Sequence, residues 1–163
     1  IAVAEGDLWH EHTANPIVKD MAFNVVRQVA DSRFELANEH GFGQLGSWRT
    51  IVAADHNADG IVDFIVSDVE HRPMLLLSDG CTANNWVEVA APHGSRVEVD
   101  AAGSTRVGWA NTASSFGGAV EPVVRFGLGA IATIEGLRVE TPDGRIIEHT
   151  DAIAVRRRIT LAE

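Results

Sequence analysis

The chain has 163 residues, of which 45% are hydrophobic and 22% charged, so it is not compositionally disordered and has room for one ordinary domain or two small ones. Its formal net charge of -10 repels phosphate backbones, so we expect no nucleic acid partner, and the one basic cluster, residues 156–158, is interpreted as the solvated edge of a last strand. No run of about 18 apolar residues occurs, so the sequence predicts no membrane-spanning helix.

Residues 21–41 are ambiguous between helix and strand. Phe23, Val26 and Val29 lie at a spacing that suits one face of a helix. Two strands joined by a turn at residues 30–32 fit the same pattern equally well. The hydrophobic pattern alone therefore does not decide between them.

The remainder of the chain is predicted to be mainly β. Its segments alternate apolar and polar residues or are rich in β-branched residues, which favours strands. Asp143-Gly144, between two alternating segments, is a strong hairpin signal, and Ala102-Gly103 marks a second turn. The predicted strands and hairpins cover residues 48–54, 62–67, 72–79, 84–91, 95–110, 123–129, 134–149 and 153–161.

The segment "DHNADGIVD", residues 55–63, concentrates three carboxylates and one amide in a short loop between two predicted strands. Because like charges repel, this arrangement suits a hard cation, and Ca²⁺ accepts six to eight oxygen ligands in flexible geometry. Gly60 would allow the sharp turn that follows the third ligand. The predicted ligands are four side chains and one backbone carbonyl: Asp55, Asn57, Asp59, Ile61 (carbonyl) and Asp63.

Other interpretations of this loop stay open. An Asp- and Gly-rich hairpin loop without metal fits the same residues. An EF-hand does not fit, because Val66 occupies the twelfth position, where that loop has Glu. Mg²⁺ demands a near-ideal octahedron, and Zn²⁺ favours Cys and His ligands that are not clustered here. His56 is not included among the predicted ligands.

Residues 50–68, "TIVAADHNADGIVDFIVSD", resemble the FG-GAP or VCBS repeat, the calcium-binding blade unit of integrin-type β-propellers. Asn85-Trp86, the "FGLG" of residues 126–129 and the V-x-x-P-x-G of residues 139–144 are similar to the ASPIC and UnbV domain, which commonly follows such repeats. The resemblance favours strands for residues 21–41. It implies partial β-propeller blades with a calcium loop in residues 1–84 and a small antiparallel β-sandwich or barrel-like domain in residues 85–163.

The resemblance also implies a function. We expect a calcium-binding, non-catalytic β module, secreted or periplasmic, that interacts with a protein or carbohydrate. Too few blades are present for a propeller, and the chain begins at Ile1, so we expect the C-terminal part of a larger protein or a second chain that completes the propeller. The alternative is a domain or subunit of an enzyme or biosynthetic complex.

Few residues suggest catalysis. His10 and His12 could form half of a metal site, but no third ligand is identifiable, so they are interpreted as part of a solvated N-terminal segment. Cys81 has no neighbouring His in sequence and is interpreted as a linker residue. Trp48 and Trp86 are predicted to be core or domain-boundary residues rather than a sugar-stacking platform.

Overall fold

The computed structural model describes residues 2–3, 21–30, 32–37, 44–57, 59–68, 72–78, 83–115 and 117–161. Within these ranges every regular element is a β-strand, which confirms the prediction of a mainly β protein. Over the same ranges there is no helix with the length and apolar character needed to cross a membrane. The strands are β1 Ala2–Val3, β2 Met21–Ala22, β3 Asn24–Ala30, β4 Arg33–Leu36, β5 Leu45–Gly46, β6 Trp48–Ala54, β7 Asp63–Asp68, β8 Met74–Leu76, β9 Asn85–Ala90, β10 Arg96–Ala101, β11 Ser104–Trp109, β12 Ala113–Ser115, β13 Gly118–Ala119, β14 Val123–Gly129, β15 Thr133–Ile134, β16 Gly136–Glu140, β17 Ile146–His149, β18 Ile153–Ala154 and β19 Arg157–Thr160.

The chain divides into two compact units whose boundaries do not follow chain order. The first unit consists of Ile1–Ala54, Asp63–Leu77 and Ser114–Gly118. The second unit consists of Asp55–Val62, Ser78–Ala113 and Ala119–Glu163. Most of the acidic loop therefore belongs to the second unit, although the strands on either side of it in sequence belong to the first.

The first unit contains three small sheets, with strand orders β1-β3-β4, β2-β5 and β6-β7-β8. Phe23, Trp48 and Val66 form its buried core, and the rings of Phe23 and Trp48 meet edge to face with centroids 6.3 Å apart. Strands β3 and β4 pair antiparallel, and Ser32 in the turn before β4 has a φ of 58°. The prediction of two strands is therefore confirmed, and none of the described residues of this segment, 21–30 and 32–37, is helical.

The second unit contains two larger sheets that share one core. Their strand orders are β11-β10-β16-β17 and β14-β9-β19. Buried and exposed side chains alternate along β10, which gives its sheet one apolar face for the shared core. Val97 and Val99 are fully buried, whereas Glu98 between them is partly exposed. Valines of β9, Phe126 and Leu128 of β14, and Leu137 and Val139 of β16 complete this core.

The turns in the second unit confirm two sequence predictions. Ala102 and Gly103, between β10 and β11, have φ values of 51° and 72°, and Gly144, between β16 and β17, has a φ of 86°. One pairing differs from the predicted antiparallel arrangement, because β19 runs parallel to β9. Among the described strands no sheet closes on itself into a barrel. Two further small sheets pair β12 with β13 and β15 with β18.

Candidate functional site

The acidic loop is organised by hydrogen bonds between its own residues. The Asp55 carboxylate accepts the backbone N–H groups of Asp59, at 3.1 Å, and Gly60, at 2.8 Å. The Asn57 amide accepts the Asp59 N–H at 3.1 Å and donates to the Asp59 carboxylate at 2.8 Å. That carboxylate in turn accepts the N–H of Ile61 at 2.8 Å. Four of the five predicted ligand residues therefore form one hydrogen-bonded unit.

Gly60 is required here for two reasons. Its φ of 86° lies in the left-handed region, which side chains with a Cβ rarely adopt. In addition, a Cβ at this position would lie 2.1 Å from Cζ2 and 2.6 Å from Nε1 of Trp86. The backbone of the loop thus lies directly against the indole ring, within the second unit.

Asp63, the fifth predicted ligand, is the first residue of β7 and lies in the first unit. It is opposite Ala54 in the register of β6 and β7 and is fully buried. A carboxylate removed from water needs a compensating partner, and Asp63 has interactions within the protein.

The oxygen atoms of this loop fit Ca²⁺ in their chemistry. Carboxylate, amide and carbonyl oxygens are the ligands that Ca²⁺ takes in proteins. An ionised carboxylate has about four lone-pair sites. The carboxylates of Asp55 and Asp59 therefore have room for further ligands besides the N–H groups that already donate to them. Within the described ranges, no three His, Cys, Asp or Glu side chains converge into a metal-binding group.

A cavity of about 200 Å³ adjoins the loop, and it also lies within the second unit. One wall is residues 60–62, and the opposite wall is the outer face of the sheet that contains β9 and β14. Across these two strands Trp86 lies opposite Gly127, and Glu88 lies opposite Arg125. The Glu88 carboxylate accepts a hydrogen bond from Nε of Arg125 at 2.6 Å, so the two charges at this wall compensate each other.

The beginning of β9 is held by Asn85 and Arg156. The Asn85 amide donates to the carbonyl of Ile131 at 3.0 Å and accepts from Nε of Arg156 at 2.8 Å. Arg156 has a φ of 56°, and its backbone N–H donates to the carbonyl of Trp86 at 2.7 Å. No sequence pattern predicts this role, because Arg156 belongs to a basic cluster, residues 156–158, in which all three residues are exposed.

The remaining sequence predictions have mixed outcomes. Trp48 is buried in the core of the first unit, as predicted, whereas Trp86 is half-buried beside the cavity. His10, His12 and Cys81 lie outside the described residues.

The comparisons with known proteins address the second unit. The family model described as ASPIC and UnbV matches residues 89–163. Residues 89–163 are therefore similar to the ASPIC and UnbV family. No curated protein and no solved structure matches the chain. The likeness of residues 50–68 to FG-GAP or VCBS repeats remains a prediction.

Within residues 89–163, the turn at residues 141–144 is stabilised by side-chain hydrogen bonds that no sequence pattern predicted. The hydroxyl of Thr141 donates to the Asp143 carboxylate, which also accepts the N–H of Arg145 at 3.3 Å. These two hydrogen bonds, the first being the stronger, hold the pKa of Asp143 below its usual value. Likewise, the hydrogen bond from Arg158 lowers the pKa of Glu121.

Proposed function

We propose that the chain is a calcium-stabilised, non-catalytic binding module that works in the periplasm or outside the cell. The observation that supports this most directly is the organised loop of residues 55–61, in which backbone N–H groups already hold the carboxylates of Asp55 and Asp59. Calcium affinities of extracellular modules are weak, on the order of 10⁻⁴ to 10⁻³ M, which suits a short loop of this kind.

Each loop residue would have a distinct part in holding the ion. Asp55, Asn57 and Asp59 would offer side-chain oxygens and Ile61 its carbonyl; Asp63, the fifth ligand predicted from the sequence, belongs to the first unit. Bound Ca²⁺ would supply positive charge that offsets the repulsion between these carboxylates. Gly60 would keep the backbone against Trp86, so the position of the loop depends on both the turn and this contact.

We further propose that the first unit is part of an FG-GAP or VCBS type β-propeller whose other blades come from another segment or another chain. Its strands carry exposed apolar side chains, among them Leu36 at 65% and Leu45 at 66% exposure. Exposed apolar side chains on these strands are consistent with a surface that further blades cover. We also propose that the second unit, with its cavity beside the loop, provides the contact with a partner.

The calcium proposal is tested by thermal unfolding in EDTA and then in Ca²⁺, with the bound metal assayed in parallel. At a free calcium concentration one hundred times Kd, the ion should stabilise the protein by about 2.7 kcal/mol. Asp59→Ala should remove most of this gain. The matched control is Asp151→Ala, which removes an exposed carboxylate outside the loop and should keep the gain. If the unchanged protein gains no stability and binds no ion, the loop is a metal-free turn.

A further inference from the structure

We propose that the cavity between residues 60–62 and the outer face of β9 and β14 binds one apolar side chain of a partner polypeptide, which carries a basic residue next to it. This inference rests on the proposed function only in that it specifies the partner of the binding module; the cavity itself does not depend on the ion.

Gly127 lines the cavity and leaves open space where another residue would place a side chain. Gly127 lies opposite Trp86 across β9 and β14, where a side chain would ordinarily pack against the indole. No atom lies within 4 Å of the position that a Cβ of Gly127 would take. The cavity of about 200 Å³ is smaller than the roughly 300–1,000 Å³ of sites for drug-sized ligands, so it suits a single large side chain.

Three of the polar side chains at the cavity already have partners within the protein, which favours an apolar occupant over a sugar. Glu88 is paired with Arg125 at 2.6 Å, and both ends of the Asn85 amide are used by Ile131 and Arg156. A sugar ring would lose water from its hydroxyl groups and find few partners in exchange. An apolar side chain needs no such partners, and it gains by leaving water and packing against Trp86.

The loop side of the cavity is acidic, whereas on the β14 side Arg125 is paired with Glu88 and Arg106 donates to the carbonyl of Gly127. The charge of the loop therefore indicates what should flank the bound side chain on the loop side. The Asp55 carboxylate is 2.8 Å from the backbone nitrogen of Gly60, a residue of the cavity wall, and Asp59 next to it is exposed. A basic group on the partner would be attracted to these carboxylates and an acidic group would be repelled. Calcium in the loop would weaken this preference, because the ion offsets the same charges.

The test uses the full chain with ¹⁵N-labelled tryptophan, whose Trp86 indole signal is assigned with Trp86→Phe. The probes are N-acetyl-Phe-Lys-amide, N-acetyl-Phe-Glu-amide and methyl β-D-glucopyranoside. In EDTA the lysine probe should shift the Trp86 signal saturably and bind about threefold more tightly than the glutamate probe. The sugar should not shift it. No saturable shift with either peptide would overturn the proposal, and a shift with the sugar alone would favour a carbohydrate ligand instead.

Filling the cavity provides the decisive variant. Gly127→Val places a side chain in the open space and should weaken peptide binding by about tenfold or more, because the probe side chain and valine cannot occupy the same volume. Gly127→Ala should weaken it less, and it serves as a second variant if valine disturbs folding. Ala154→Val, an exposed strand position away from the cavity, is the matched control. Unchanged binding in Gly127→Ala and Gly127→Val would refute the site.

The same titrations in Ca²⁺ separate this proposal from the calcium proposal. Peptide binding that persists in a protein without calcium-dependent stability would refute the ion site alone. Calcium-dependent stability without peptide binding would refute the cavity alone. If both hold, Ca²⁺ should reduce the difference in affinity between the lysine and glutamate probes.

Discussion

Gly60→Ala should destabilise the second unit more than a glycine substitution that strains the backbone alone. Placing an L-residue at a φ of 86° costs about 1–2 kcal/mol. The new Cβ would also lie 2.1 Å from the Trp86 ring, whereas carbon atoms normally approach to about 3.5–4.0 Å. Relieving such an overlap typically costs about 1–3 kcal/mol. The total of about 2–5 kcal/mol has an upper limit, which is the free energy needed to release the loop from Trp86.

The chain contains a matched control for the backbone contribution. Gly144 also has a φ of 86°, but no atom lies within 4 Å of the position of its Cβ. Gly144→Ala should therefore cost about 1–2 kcal/mol, from strain alone. Gly60→Ala should exceed this value, and the difference measures the contact with the indole.

A double-mutant cycle with Trp86→Ala tests the contact directly. Stability is measured by urea unfolding and by hydrogen exchange of the β9 amides, which report on the second unit separately from the first. In the Trp86→Ala background, Gly60→Ala should cost no more than Gly144→Ala does. If Gly60→Ala costs the same with and without the indole, the loop does not depend on Trp86 and the reasoning fails.

Two further predictions concern other parts of the chain. The pKa of Asp143 is lowered by hydrogen bonds from Thr141 and Arg145, so this group stabilises the fold above its unfolded pKa of about 3.9 and loses that contribution as pH falls through the lower folded value. The urea midpoint of Asp143→Asn should therefore change less than that of the unchanged protein between about pH 6 and about pH 3; parallel profiles would contradict this. If missing blades leave the first unit exposed, the chain should bind a hydrophobic dye, and Leu36→Asn with Leu45→Asn should reduce the signal; a chain that binds no dye would argue against the incomplete propeller.

Local signals explain what could be predicted from the sequence. Strand β10 was recognisable because buried Val97 and Val99 alternate with polar residues, and this pattern depends only on the pleat of the strand. The turn before β17 was recognisable because Asp-Gly supplies the positive φ that Gly144 adopts. The structure of residues 21–41 could not be predicted from local pattern, because helix and strand spacing both fitted them. Only the family resemblance favoured the strands that the structure contains.

The direction of the last strand illustrates what local signals do not carry. Alternation in β19 indicates a strand, but it is the same whether the neighbour is parallel or antiparallel. The parallel pairing with β9 follows a left-handed residue, Arg156, whose N–H bonds to the carbonyl of Trp86. Arginine is not a residue type that signals positive φ, so no sequence cue marked this turn.

The acidic loop shows the same limit at the candidate site. Its spacing indicates oxygen ligands, and Gly60 is explained locally by the turn, but neither observation reveals that the loop lies against Trp86. In the structure Gly60 lies against the Trp86 indole, and Gly127 lies opposite Trp86 in the neighbouring strand, with opposite consequences. At Gly60 the missing Cβ permits contact, whereas at Gly127 the missing Cβ leaves space. Substitution of Gly60 should therefore change chiefly stability, and substitution of Gly127 chiefly binding. The sequence alone does not show this difference, because both residues are glycine.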